Sequence, residues 1–128
     1  MQKRNYQKEL EKLLSEFEKE EKRPSLLLHG CCAPCSSYCL WYLSRYFKIK
    51  VFFYNPNISY ENEYEKRWEE LVRLVNEMPL SSPVELIKGS YEPDAFYEMA
   101  KGLEKLPEGG ERCFRCYELR LRETAKMA

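Results

Sequence analysis

Several absences narrow the field before any motif is read. No stretch approaches the roughly 20 consecutive apolar residues needed to span a bilayer. The N-terminus, MQKRNYQKELEKLLSEFEKEEKR, has no apolar leader core. A cytoplasmic location and no membrane partner are therefore expected. Net charge is also missing, because 21 Lys+Arg balance 21 Asp+Glu. That removes any global pull toward nucleic acid or anionic lipid, so a nucleic-acid partner must be held locally. Neither GxGxxG nor GxxxxGK[ST] occurs, which leaves the usual phosphate cradles, and with them a flavin or nicotinamide fingerprint, without support. Histidine and aspartate occur once each, as His29 and Asp94, so no site can be built on several of either.

Cysteine is what the chain does have. Six are present in 128 residues: Cys31, Cys32, Cys35, Cys39, Cys113 and Cys116. In a reducing compartment such thiols favour metal or redox chemistry over a disulfide frame.

Apolar spacing supplies the scaffold. Residues 4 to 22 place Tyr6, Leu10, Leu13, Leu14 and Phe17 on one face of an amphipathic helix that Pro24 stops, giving an N-terminal docking element over 1–24. SLLLH (25 to 29), IKVFFYN (49 to 55) and VELIKG (84 to 89) read as short strands, the middle one apolar enough to be buried on both faces. Between them, residues 35 to 47 put Cys39, Leu43 and Phe47 on one helix face, and residues 61 to 77 do the same with Tyr64, Trp68, Leu71 and Val75. A further helix follows Pro93, with Asp94 supporting its N-terminus, and a turn-rich loop (103 to 111) leads to a last helix from about Arg112. Alternating strands and helices predict an α/β fold, a partial doubly wound parallel sheet of three strands with flanking helices, in a single domain over 1–128. Open parallel sheets usually have more strands. The sheet is therefore expected to be incomplete, with its edge along SLLLH covered by another chain or by further sequence.

The cysteines fall into two groups. HGCCAPCSSYC (29 to 39) leaves the first strand at its carboxyl end, where open α/β sheets bind ligands. ERCFRC (111 to 116) opens the last helix, where the exposed amides, the macrodipole and Arg112 and Arg115 should make Cys113 and Cys116 ionise readily. If that helix packs on the same sheet, the two groups meet at one rim. Cys32/Cys35 with Cys113/Cys116 satisfies the two-pair rule for structural zinc. A cluster of iron and sulfide also takes four cysteines and accepts adjacent ones such as Cys31 and Cys32, which leaves Cys35 for a second metal beside it. A metal-free thiol oxidoreductase on Cys32/Cys35 is the third reading. Cys39, on an apolar helix face, reads as a small buried hydrophobe.

Around these thiols, His29 is a candidate ligand or proton donor, or a hydrogen-bonded structural residue. Tyr54, Asn55 and Asn57 follow the second strand at the same rim and read either as turn structure or as substrate contacts. Arg112, Arg115, Arg120 and Arg122 could hold phosphates or form a salt-bridged helix surface. His29, Tyr54 and Glu111 are the candidate proton donors.

Taken together, LLLHGCCAPCSSYCL, VFFYNPNI, NEYEKR and YEPDAFYEMAKGLEKLPEGGERCFRCYELRLRETAKMA resemble the QueH-type epoxyqueuosine reductases, the cobalamin-independent kind, over nearly the whole chain after Pro24. The resemblance implies a domain similar to the PP-loop and nucleotide alpha-hydrolase folds. It implies reduction of epoxyqueuosine to queuosine at the wobble position of tRNA, with electrons from an external donor such as a ferredoxin. It further implies that Cys31 and Cys32 with Cys113 and Cys116 hold a 4Fe-4S cluster, and that Cys35 serves an adjacent iron. Members of that family normally continue past the ETAKMA helix, so the resemblance also implies that further strands and helices complete the sheet.

Overall fold

The computed structural model describes residues 3–128. Three parallel strands form its centre: β1 (Ser25–His29), β2 (Lys48–Phe53) and β3 (Glu85–Lys88), in the order β1-β2-β3. Their register pairs Ser25 with Lys48 and His29 with Phe52 on one side, and Lys50 with Glu85 and Phe53 with Lys88 on the other. Every parallel neighbour needs a crossover. These are α2 (Ala33–Leu43) and α3 (Glu61–Glu77), with α1 (Tyr6–Lys19) before the first strand and α4 (Pro93–Ala100) and α5 (Glu111–Met127) after the last. The α/β reading with a three-stranded parallel sheet is thus observed. Among the described residues no helix is long and apolar enough to cross a membrane.

The two sheet faces differ because strand residues alternate. Ile49, Val51 and Phe53 face one side and join Leu14 of α1, Leu40 of α2 and Tyr64 and Leu71 of α3 in the main core. Phe53 is fully buried, with its ring 4.8 Å from that of Tyr64 and 5.6 Å from that of Trp68. The opposite face carries Leu27, His29, Lys50, Phe52 and Ile87 and receives α5, whose Met127 borders an open cavity of about 830 Å³ over Leu27, Lys50 and Ile87. In the three-stranded sheet β1 is an edge, as the sequence reading anticipated.

Several boundaries move for identifiable reasons. The second helix begins at Ala33 with Pro34 in its first turn, and it ends at Leu43 rather than 47. Phe47 is reached after a short turn, yet it is buried against Phe17 of α1 in an edge-on contact at 5.8 Å. On α1 only Leu14 is buried, with Leu10 and Phe17 packed partly against the core, while Tyr6 and Leu13 face solvent. The docking stripe is narrower than the apolar spacing implied. Asn5 caps this helix by accepting a hydrogen bond from the Lys8 amide at 3.0 Å.

Candidate metal centre

The carboxyl ends of the strands hold the site. Between β1 and α2 the chain has only Gly30, Cys31 and Cys32. Such a short link needs close backbone approach, and a Cβ on Gly30 would sit 2.6 Å from Val51 Cγ1, so only glycine fits. Its amide continues the ladder by donating to the Phe52 carbonyl at 3.0 Å. Its carbonyl accepts from Asn55 Nδ2, also at 3.0 Å, across to the loop after β2. Asn55 is therefore a buried brace for the thiol loop, and its position places it away from solvent.

This brace carries a prediction. Asn55→Ala removes the donor and leaves the Gly30 carbonyl unpaired in a buried place, which costs about 1–3 kcal/mol. Thermal unfolding should show that loss, and an unchanged melting temperature would contradict the bracing role.

The link delivers three thiols to one point. The sulfurs of Cys31, Cys32 and Cys35 lie within 4.8 Å of one another, Cys32 as the N-cap of α2 and Cys35 in its first turn. Soft donors gathered this way can hold a metal ion. The electrostatics within the group are uneven. Burial and the neighbouring Cys32 push the Cys31 thiol up. Burial also pushes Cys32 up, but hydrogen bonding from Cys35 and Cys31 and the charge of Arg67 outweigh it, so the net direction is down. Cys35, which donates to Cys32, is pushed up to about 11. Cys32 is the thiol poised to ionise first.

Cys113 and Cys116 lie outside that three-thiol group. Cys113 accepts a hydrogen bond from the Gly109 amide at 3.3 Å, and Gly109 makes the turn into α5 with φ +85°. Cys116 sits one turn further along α5 and is buried, and burial pushes its thiol up despite Arg120. Ready ionisation of Cys116 was expected from the helix N-terminus; its distance from the first turn and its burial reverse the direction. Cys39 is half-buried on α2 and takes no part in the thiol group.

The remaining candidates separate clearly. His29 donates from Nε2 to the Tyr54 carbonyl at 2.7 Å, and burial lowers its pKa, which leaves a neutral ring with Nδ1 free to accept. The Tyr54 ring is buried, stacks on Phe52 at 5.8 Å and donates its hydroxyl to Glu92 at 3.2 Å. Burial and the Glu92 carboxylate both push the Tyr54 phenol up, so it keeps its proton. Asn57 has a buried Oδ1 without a hydrogen-bond partner in the structure. Glu111 is exposed and pairs with Arg115 at 2.8 Å, while Arg112 donates to the Glu104 carbonyl at 2.7 Å. Arg122 likewise pairs with Glu118.

Arg120 behaves differently from its neighbours. It lies near enough to His29, Cys31 and Cys116 for its charge to act on all of them. In sequence it is one of four arginines on α5 with no motif to set it apart, and neither Glu92 nor Glu123, the second carboxylate acting on Tyr54, carries a motif that marks it. The available signal was the four-residue step from Cys116 to Arg120, which puts both on one face of α5.

The fold and site together define an α/β protein with a parallel sheet and, at the carboxyl end of its first strand, a group of three cysteines that could hold a metal ion. Comparison with known proteins narrows this. The family described as "Epoxyqueuosine reductase QueH" matches residues 26–128, and the chain belongs to that family. It is 45% identical to the epoxyqueuosine reductase QueH of Staphylococcus epidermidis, an alignment covering 99% of this chain and 55% of the relative. Its identity to the protein of the same name from Streptococcus pyogenes is 40%, covering 99% of this chain and 51% of the relative. A third relative of that name, from Helicobacter pylori, is 41% identical over 80% of this chain and 28% of its own length. The chain thus spans about half the length of the first two relatives.

Proposed function

We propose that this chain provides the thiol half of an epoxyqueuosine reductase, which reduces epoxyqueuosine to queuosine at the wobble position of tRNA in the cytoplasm. The observation that carries this reading is the gathering of Cys31, Cys32 and Cys35 at the carboxyl end of β1, in a chain of the QueH family. Cys31 and Cys32 with Cys113 and Cys116 would hold a 4Fe-4S cluster, and Cys35 would serve an adjacent iron. The donor set suits this: four soft thiolates for a group larger than one ion, with a fifth thiol beside them.

Once bound, such a centre supplies electrons one at a time from a ferredoxin-like donor and a Lewis-acidic position for the epoxide oxygen. The chain's own groups handle protons and placement. Tyr54 keeps a phenolic proton beside the rim, and Glu92 orients it through the 3.2 Å hydrogen bond. His29 offers an accepting Nδ1 and fixes the Tyr54 backbone. Glu111 stands at the start of α5 as a third candidate donor once its ion pair with Arg115 opens, and Arg112 and Arg115 would meet RNA phosphates at the same helix end by exchanging their contacts to the Glu104 carbonyl and Glu111. Asn57, with its unpartnered Oδ1, contributes an acceptor near the rim, and Asn55 holds the loop.

A metal-free thiol oxidoreductase is supported by one specific feature, the hydrogen bonding that lowers Cys32 and raises Cys35 in a CxxC spacing. A structural zinc site is the other arrangement that the same thiols suit. Purification without oxygen followed by iron, zinc and acid-labile sulfide analysis distinguishes them. Iron with sulfide supports the reductase, zinc without sulfide supports the structural site, and neither supports thiol exchange.

A further inference from the structure

One helix leaves the thiol loop with two of its aromatic side chains exposed, while a third, Tyr42, packs against the core. On α2, Tyr38 is 63% exposed and Trp41 is 40% exposed. The Tyr38 ring lies nearly parallel to Tyr42, with centroids 5.8 Å apart and planes at 14°, and 6.1 Å from Trp41. The Arg45 guanidinium sits over the Trp41 ring, 4.3 Å from its centroid. Large planar faces beside a guanidinium are the groups that single-stranded nucleic acids stack on, because every base has a π-face.

Charge points the same way. The whole chain is neutral, but residues 22 to 60 contain no Asp or Glu and carry Lys22, Arg23, Arg45, Lys48 and Lys50. Lys50 lies on the opposite sheet face beside Glu85 and Lys22 pairs with Glu20, so the aromatic face has no acidic residue of its own helix beside it and Arg45 as its cation, the sign a polyanion requires. The acidic residues of α1 limit where it can lie. Glu11 and Glu18 border a recess with Tyr42 and Tyr46, so the favourable path runs over Tyr38, Trp41 and Arg45. Tyr38 follows Cys35 by three residues, about one helical turn from the thiol group.

We propose that the exposed face formed by Tyr38 and Trp41 of α2, with Arg45 just beyond the helix end, is a stacking surface for the single-stranded RNA that flanks the nucleotide presented to the thiols. This rests on the reductase reading above and adds the surface that grips the RNA. The nucleotides next to the target stack on Tyr38 and Trp41, and Arg45 meets their phosphates.

Binding of a fluorescent anticodon stem-loop RNA to the full chain, followed by anisotropy, tests it. Tyr38→Ala and Trp41→Ala should each weaken binding by about 5- to 150-fold, the range for losing one base–aromatic stack. Tyr38→Phe should bind within about twofold of the parent, since the ring face remains. Arg45→Gln should reduce the slope of log K against log salt by about 0.7, one phosphate contact on a single strand. Circular dichroism confirms that each variant is folded. If the parent binds the RNA and both alanine variants bind equally well, the α2 surface is overturned while the reductase reading stands. If the parent does not bind the RNA, both fail together. If the alanine variants change only the oligomeric state seen by light scattering, the face contacts protein and the proposal is wrong.

Discussion

Replacing Cys32 with alanine is expected to strip the protein of bound metal, while Cys39→Ser leaves it loaded. Cys32 lies within 4.8 Å of both partners in the thiol group, and it is the one whose surroundings favour the thiolate. Metals are bound by deprotonated thiols, so losing the most ionisable one removes both a ligand and the negative charge that anchors the ion. Altering a residue that merely orients a ligand costs about 10–100-fold in affinity, so loss of a ligand should reach at least about a hundredfold. Cys39 shares the helix but stands outside the group. A hydroxyl in its half-buried place costs about 1 kcal/mol of stability and no metal. Iron analysis of the two purified variants checks the contrast, and equal loss from both would show that Cys39 belongs to the site.

The second large effect is on the scaffold. Phe53→Ala should cost about 3–5 kcal/mol, the range for emptying a fully buried aromatic position. Its ring packs between Tyr64 and Trp68 of α3, and its carbonyl accepts hydrogen bonds from the Gly89 amide at 2.8 Å and the Tyr64 hydroxyl at 3.3 Å. Tyr64 reaches on to the Gly89 carbonyl at 2.7 Å. The side chain thus supports the rim where β2 and β3 end, directly beside the loop carrying Tyr54 and Asn55. Stability of small domains is about 5–15 kcal/mol, so the loss is a large part of the whole. Thermal or urea unfolding of the variant measures it. A change below about 1 kcal/mol would mean that the core collapses around the gap or is not centred on this strand.

The alternation of SLLLH, IKVFFYN and VELIKG with helical patterns was legible because a parallel sheet buried on its main face demands apolar runs, and the three strands, the second and third bounded at Lys48–Phe53 and Glu85–Lys88, pair in parallel as expected. The position of HGCC at a strand's carboxyl end followed from the same pattern, as did its proximity to Tyr54. Less was legible where several residues share a type. Nothing in the spacing of Tyr6 and Leu13 says that only the Leu10, Leu14 and Phe17 side of α1 meets the core. Nor could it separate Arg120, whose charge acts on Cys31 and Cys116, from Arg115 and Arg122, which make i,i+4 pairs at the surface. Such exposed pairs contribute little. The buried thiol of Cys116 was hidden for a related reason: helix-terminus arguments describe the first turn, and desolvation by neighbouring elements depends on tertiary packing.

Asn55 illustrates the opposite case. A short polar residue after a strand suggests a turn or a ligand contact. The structure instead spends its Nδ2 on the Gly30 carbonyl, joining the loops after β1 and β2. That bond, together with the absent side chain of Gly30 against Val51, makes the position of Cys31 and Cys32 a consequence of core packing. A site built on rigid elements in this way is held in place before any metal arrives.

The measurement that bears most directly on the central claim is anaerobic reconstitution with iron and sulfide, followed by metal and acid-labile sulfide analysis and an EPR spectrum of the reduced protein. The account predicts iron and sulfide in the proportion of a 4Fe-4S cluster, with iron in excess of sulfide when Cys35 holds the adjacent ion, and a paramagnetic signal after reduction that Cys32→Ala abolishes. Protein that retains neither iron nor sulfide, or that binds them equally well without Cys32, would contradict it.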